Sequence, residues 1–132
     1  MALTYKIVAT KKPGTGMLGD TLYYPKLTDS TLMDLRDVSQ ILAQRTTASE
    51  ADIRLVVTGL MDLIPELLLD GKTVKLDHFG SFRLYARAEP SPSADEVKTS
   101  HIRGLRISFL PDKRMKAELA HAKFMRKKEK RG

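Results

Sequence analysis

The stretch Lys72-Thr73-Val74-Lys75-Leu76-Asp77-His78-Phe79-Gly80-Ser81-Phe82-Arg83-Leu84-Tyr85-Ala86-Arg87-Ala88 leaves a helical spacing of apolar residues and takes up a period of two. Val74 and Leu76 fall on one side of an extended chain, with Thr73, Lys75 and Asp77 on the other; Phe82, Leu84 and Ala86 then oppose Arg83, Tyr85 and Arg87. Successive side chains of a strand point to opposite faces, so the alternation predicts two strands, each with one apolar and one wet face. His78-Phe79-Gly80-Ser81 is the turn between them. Arg83, Tyr85 and Arg87 on one wet face are candidates for contact with an anion; the ordinary alternative is a solvated surface.

Upstream, the apolar residues recur at three- and four-residue intervals. Thr31, with Asp34 three residues on, predicts the cap of a first helix whose inward stripe is Leu32, Leu35, Val38, Ser39 and Leu42. Thr47 with Glu50 predicts a capping box for a second helix, with the stripe Ile53, Val56, Val57, Leu60, Ile64, Leu67 and Leu68. That stripe exceeds what one short neighbouring helix can cover, so it points either to a second subunit or to a helix central to its own core. Pro65 removes a backbone hydrogen bond and predicts a kink or restart, and Gly71 ends the helix.

Downstream, Glu89-Pro90-Ser91-Pro92-Ser93-Ala94-Asp95-Glu96 has no periodicity and reads as a mobile loop or arm between strands. A third strand is expected from about Val97 to Leu110, with Leu105, Ile107 and Phe109 facing away from Arg106 and Ser108. Gly104 predicts a bulge that re-aims Arg103 and His101. Pro111 and Asp112 suit the first turn of a final helix with a thin stripe of Met115, Leu119 and Ala122, after which Lys123 to Gly132 trail off as a basic tail. At the other end, Leu3, Tyr5 and Ile7 alternate with Thr4, Lys6 and Val8, and Leu22-Tyr23-Tyr24 resumes the extended pattern after the turn Pro13-Gly14-Thr15-Gly16. The first thirty residues therefore read as a hairpin or two loosely paired strands.

Charge limits the partners. The chain of 132 residues has 23 Lys and Arg against 16 Asp and Glu, a net charge of +7. Residues 1–30 carry +2, residues 31–70 carry −4, residues 71–110 carry +3 and residues 111–132 carry +6. A polyanion would be repelled by the predicted helices, so a binding face is expected from residue 71 onward. There is no cysteine, which excludes disulfides, thiolate metal sites and cysteine nucleophiles together. The start lacks the apolar run of a signal peptide and no run approaches a membrane span, which predicts a cytoplasmic protein with no membrane partner. His78, His101 and His121 have no metal-ligand spacing, and no phosphate loop, nucleophile elbow or dinucleotide fingerprint occurs, so neither a cofactor, a small-molecule substrate nor an enzyme is expected. Asp77-His78-Phe79-Gly80 lacks the residues that would accompany it in a catalytic signature.

The order of elements, with Phe79-Gly80-Ser81-Phe82 at the turn and Phe109-Leu110-Pro111-Asp112-Lys113 before the last helix, resembles the HU and integration host factor family of bacterial histone-like proteins. These residues resemble that family's Gly-Phe-Gly-x-Phe turn and Phe-x-Pro-Gly-Lys element, with His78 in place of the turn's first glycine and Asp112 in place of the second element's glycine. The resemblance covers about residues 31–123, and the extension before it is similar to that of longer, Bacteroides-type relatives. It implies an α+β fold: an N-terminal β-hairpin extension (1–30), then an HU-like DNA-binding domain (31–123) of two helices, a three-stranded antiparallel sheet with a protruding β-arm and a short helix, then a basic tail (124–132), the whole forming an intertwined homodimer.

The function so implied is architectural: binding of duplex DNA through its phosphate backbone and minor groove, with low sequence preference, in the nucleoid. Arg83, Tyr85, Arg87, Lys98, Arg103, Arg106, Lys113, Arg114 and Lys116 are the expected DNA contacts, and Pro90 or Pro92 matches the family's arm-tip wedge. Glu89, Asp95 and Glu96 depart from the family's basic tip and oppose intercalation. Two other readings stay open: an HU-like structural or protein-interaction module, and binding of RNA.

Overall fold

The structure, a computed structural model, describes residues 1–11 and 21–128. In chain order the elements are β1 (Leu3–Lys11), β2 (Thr21–Thr28), α1 (Leu35–Arg45), α2 (Glu50–Leu69), β3 (Val74–Leu76), β4 (Gly80–Ala88), two 3-10 turns (Ala94–Glu96 and Thr99–His101), β5 (Ile102–Pro111), α3 (Lys113–Leu119) and β6 (Phe124–Arg126). The fold is mixed α+β and divides into two compact units, Met33–Glu118 and a second made of Met1–Leu32 with Leu119–Gly132.

In the larger unit both helices begin later than their threonines predict. Asp34 caps α1: its carboxylate accepts from the Asp37 amide at 3.0 Å while the Asp37 carboxylate accepts from the Asp34 amide at 3.2 Å. A reciprocal pair of this kind satisfies two otherwise orphaned donors, which Thr31 with Asp34 would have done one turn earlier. The amide of Asp37 is the main influence holding the Asp34 carboxyl below the usual carboxylate range. Ser49, not Thr47, caps α2, accepting from the Asp52 amide at 3.1 Å. α2 then runs through Pro65 as one element of 20 residues, with no restart. It closes on Asp70, where the amides of Gly71 and Lys72 reach back to the carbonyls of Leu68 and Leu67 and Gly71 takes φ 81°. Glycine suits that left-handed position because it has no Cβ to clash.

α1 packs on α2 through part of the predicted stripe. Leu35 and Ser39, joined by Ala43, are its best covered residues, whereas Val38 and Leu42 are more open and Leu32 stands 87% exposed ahead of the helix. Ser39 is fully buried, and its hydroxyl donates to the Leu35 carbonyl at 2.7 Å, which satisfies the one polar group the contact encloses. On α2, Ile53 and Leu68 are buried, yet Leu55 and Val56 stand 73% and 70% exposed.

The sheet of this unit has the order β3-β4-β5, all antiparallel. The apolar faces read from the sequence meet one another: Val74 opposes Phe82, Phe82 opposes Phe109, Leu84 opposes Ile107 and Ala86 opposes Leu105. Phe79, Phe82 and Phe109 form one aromatic cluster, with ring centroids 5.2 Å (Phe79 to Phe109) and 5.0 Å (Phe82 to Phe109) apart. Gly80 is buried beneath it, and a Cβ there would run into the ring of Phe109 and stand 2.7 Å from the Leu110 carbonyl oxygen. The glycine is therefore required by space and not, as the turn suggests, by its backbone angles. The residue at positive φ in this turn is His78, at 69°. Pro111 ends β5 instead of opening α3, and Asp112 precedes the helix, its amide donating to the Phe79 carbonyl at 2.9 Å.

In the smaller unit β1 pairs antiparallel with β2, from Thr4 opposite Thr28 to Lys11 opposite Thr21. The connecting turn Pro13-Gly14-Thr15-Gly16 lies outside the described residues. The predicted tail is not all tail: β6 pairs parallel with β1, Leu3 opposite Phe124 and Tyr5 opposite Arg126, giving the order β2-β1-β6. The Lys127 ammonium anchors its end on the Asp29 carboxylate at 2.9 Å.

Candidate nucleic-acid interface

The face of the β3-β4-β5 sheet opposite the phenylalanines is built by register alone. Arg83 stands opposite Ser108, Tyr85 opposite Arg106 and Arg87 opposite Gly104, and directly opposed residues share a face. The Arg106 guanidinium lies 5.8 Å from the centroid of the Tyr85 ring, a cation–π distance that fixes both groups beside Arg83 and Arg87. Small partners, Ser108 and Gly104, leave the guanidinium groups of Arg83 and Arg87 uncovered; both arginines are exposed. Lys75, opposite Ser81, extends the row onto β3. Sequence reasoning omits that lysine from the expected DNA-binding residues, although its alternation with Val74 and Leu76 places it on the same side.

The arm departs from its prediction. Between β4 and β5 the register slips after Arg87: Arg87 faces Gly104 but Ala88 faces Ile102, which leaves Arg103 as the extra residue of a bulge. Gly104 thus marks the bulge expected there. Re-aimed in this way, Arg103 is held by Glu89, with Nε to Oε1 at 2.8 Å and Nη2 to Oε2 at 2.9 Å, a bidentate pair with both groups half exposed. β5 begins at Ile102 rather than near Val97. Ala94–Glu96, within the expected loop, and Thr99–His101, within the expected strand, form the two 3-10 turns, closed where the Glu89 amide donates to the His101 carbonyl at 2.9 Å and the Lys98 amide donates to His101 Nδ1 at 2.9 Å.

The predicted residues therefore separate into three places. Arg83, Tyr85, Arg87 and Arg106 come together on the sheet, with Arg103 tied off at the bulge. Lys98, Pro90 and Pro92 belong to the arm tip, all exposed, in company with Glu89, Asp95 and Glu96. Lys113, Arg114 and Lys116 lie on α3. Among the described residues no group of three or more His, Asp or Glu side chains is placed to hold a metal ion, and no helix is long and apolar enough to cross a membrane.

Across residues 1–126 the sequence matches the family HU-HIG, described as an HU domain fused to wHTH, Ig, or Glycine-rich motif. The chain belongs to the HU-HIG family. Its fold is similar to that of a candidate bacterial DNA-binding protein from Bacteroides vulgatus ATCC 8482, at 10% identity and TM-score 0.66 over 99% of this chain. The chain spans about half of that protein, 51% of its length. An Anabaena HU protein solved with DNA aligns at 20% identity and TM-score 0.51, over 67% of this chain and 99% of its own. No curated protein matches the sequence. Membership of HU-HIG makes this chain HU-like.

Proposed function

We propose that this HU-HIG chain is an architectural protein of the nucleoid, of the longer Bacteroides-type branch, that grips duplex DNA by its phosphate backbone with little sequence preference. It is a binding protein and not an enzyme. The observation that carries the reading is the cross-strand row of Arg83, Tyr85, Arg87 and Arg106 on one exposed sheet face, where fixed guanidinium groups meet phosphates without reading base edges. Lys75 and the α3 cations Lys113, Arg114 and Lys116 extend the contact.

The functional body is a homodimer whose subunits interlock. Leu55, Val56, Met61 and Leu63 of α2 and Leu105, Ile107 and Phe109 of β5 are all exposed in the single chain, far more apolar surface than a monomer leaves open to water. A second copy would close that surface.

The arm differs from an intercalating one. Its tip carries Asp95 and Glu96, and Arg103 at its root already has a carboxylate partner. We assign it to flanking contact with the duplex, with Pro90 and Pro92 not wedging between base pairs. A gel-shift series on linear, nicked and four-way-junction DNA with matched duplex RNA tests the reading. Binding to all three DNAs within about tenfold of one another, weaker on RNA and weaker with rising salt, is expected. Absence of duplex DNA binding at low salt contradicts it.

A further inference from the structure

The charge of the molecule is not where the duplex-binding face is. Met33–Glu118 contains 13 basic and 13 acidic residues and is neutral, whereas Met1–Leu32 with Leu119–Gly132 contains ten basic and three acidic residues. The entire net charge of +7 therefore sits in the smaller unit. Among its described residues the one carboxylate, Asp29, is already paired with Lys127 at 2.9 Å. Lys6 and Lys26 stand directly opposite each other on β1 and β2, both exposed.

The other face of the same sheet is apolar and aromatic. Register puts Tyr5 beside Leu27, Ile7 beside Pro25, Ala9 beside Tyr23 and Leu3 beside Phe124, on one side of the sheet. Tyr5, Ile7, Tyr23, Pro25 and Phe124 line a common open hollow. Tyr23 is 71% exposed and Phe124 63% exposed, so an aromatic side chain on each outer strand of the sheet is open to solvent.

We propose that this three-stranded sheet is a second nucleic-acid site, separate from the duplex-binding face, which takes an unpaired strand of DNA or RNA by stacking bases on Tyr23 and Phe124 while Lys11 and Arg126, exposed on the same face by register, neutralise its phosphates. A duplex keeps its base faces stacked on one another and offers nothing to exposed rings; an unpaired strand offers both bases and phosphates. A second copy of the chain would set one positively charged unit against another, and a neutral apolar partner would leave Lys11 and Arg126 unanswered.

The test uses the full chain and fluorescence anisotropy with dT20, rU20 and a 20-base-pair duplex. The variant Tyr23→Leu with Phe124→Leu keeps apolar cover and strand preference but loses the ring faces. It is expected to bind dT20, rU20 or both about tenfold more weakly than the parent, with duplex affinity within twofold and an unchanged thermal midpoint. Which oligonucleotide the parent binds more tightly identifies the source, since only RNA offers the 2′-hydroxyl. Should the leucine pair not fold, Lys11→Ala with Arg126→Ala changes only exposed side chains of the ring face and is expected to fold. Its salt dependence on the preferred oligonucleotide should be shallower by about 1.4 in log–log slope. No single-strand binding by the parent overturns the proposal. So does single-strand binding unchanged in the variants, including the case where the leucine pair instead alters the oligomeric state, which would make the face a contact between copies. Loss of duplex binding alone bears on the proposed function and leaves this site standing.

Discussion

Gly80 and His78 occupy one turn and are constrained for opposite reasons. At Gly80 the limit is volume: the Phe109 ring fills the space a methyl group would need. Gly80→Ala is expected to destabilise the fold by about 1–3 kcal/mol, because the ring and the β5 backbone have to shift in a packed cluster. A urea titration of both proteins checks this through the midpoint at constant slope. At His78 the limit is backbone angle, since φ is 69° and the side chain is exposed. His78→Val, which is β-branched, should cost about 1–2 kcal/mol, while His78→Gly should be neutral or stabilising. The sequence shows both residues at the turn, but it cannot distinguish a glycine kept for space from one kept for its backbone angles. That distinction depends on Phe109, nearly thirty residues away.

At the scale of elements, period and composition make α1, α2 and the β3-β4-β5 pairing legible, because each strand carries its own alternation and each helix its own stripe. Caps are misread where several acceptors compete: Thr31 and Asp34 each have a suitable residue three positions on, and the reciprocal Asp34–Asp37 box prevails. Since the Asp34 carboxyl is held below its ordinary range, chiefly by the Asp37 amide, the stability it adds is present above the unfolded carboxylate value and fades as pH falls through the lower folded one. The thermal midpoint of Asp34→Ala should lie below that of the parent at pH 7, and the gap should narrow below about pH 4. The arm turns are not legible in the sequence because their closure depends on a ring nitrogen of His101 and on a carboxylate, neither of which has a period. Their consequence is testable at Glu89: Glu89→Gln releases Arg103, and duplex affinity at low salt should rise by about two- to fivefold, a modest gain because the pair is exposed to solvent.

For the whole molecule, the sheet part of the candidate site is legible in the sequence, and the grouping of charge in space is not. Strand alternation puts Arg83, Tyr85, Arg87 and Arg106 on one face. Summing charge along consecutive segments, however, hides the fact that the two chain ends belong to one unit. The link is β6, a three-residue parallel strand whose partner lies about 120 residues away, and Phe124-Met125-Arg126 alone has no pattern that predicts it. The exposed apolar surface of α2 and β5 carries its own expectation. Val56→Glu with Leu55→Glu should convert the proposed dimer to a monomer or prevent folding, seen as a halved mass by light scattering or a loss of cooperative unfolding. The central claim, backbone grip by the sheet face, is tested most directly by the salt dependence of duplex affinity for the parent and for Arg83→Ala with Arg87→Ala and Arg106→Ala. The account predicts a slope that becomes shallower by about 0.9 for every phosphate that the missing guanidinium groups no longer neutralise, with affinity falling equally on unrelated sequences. An unchanged slope in the triple variant would contradict it.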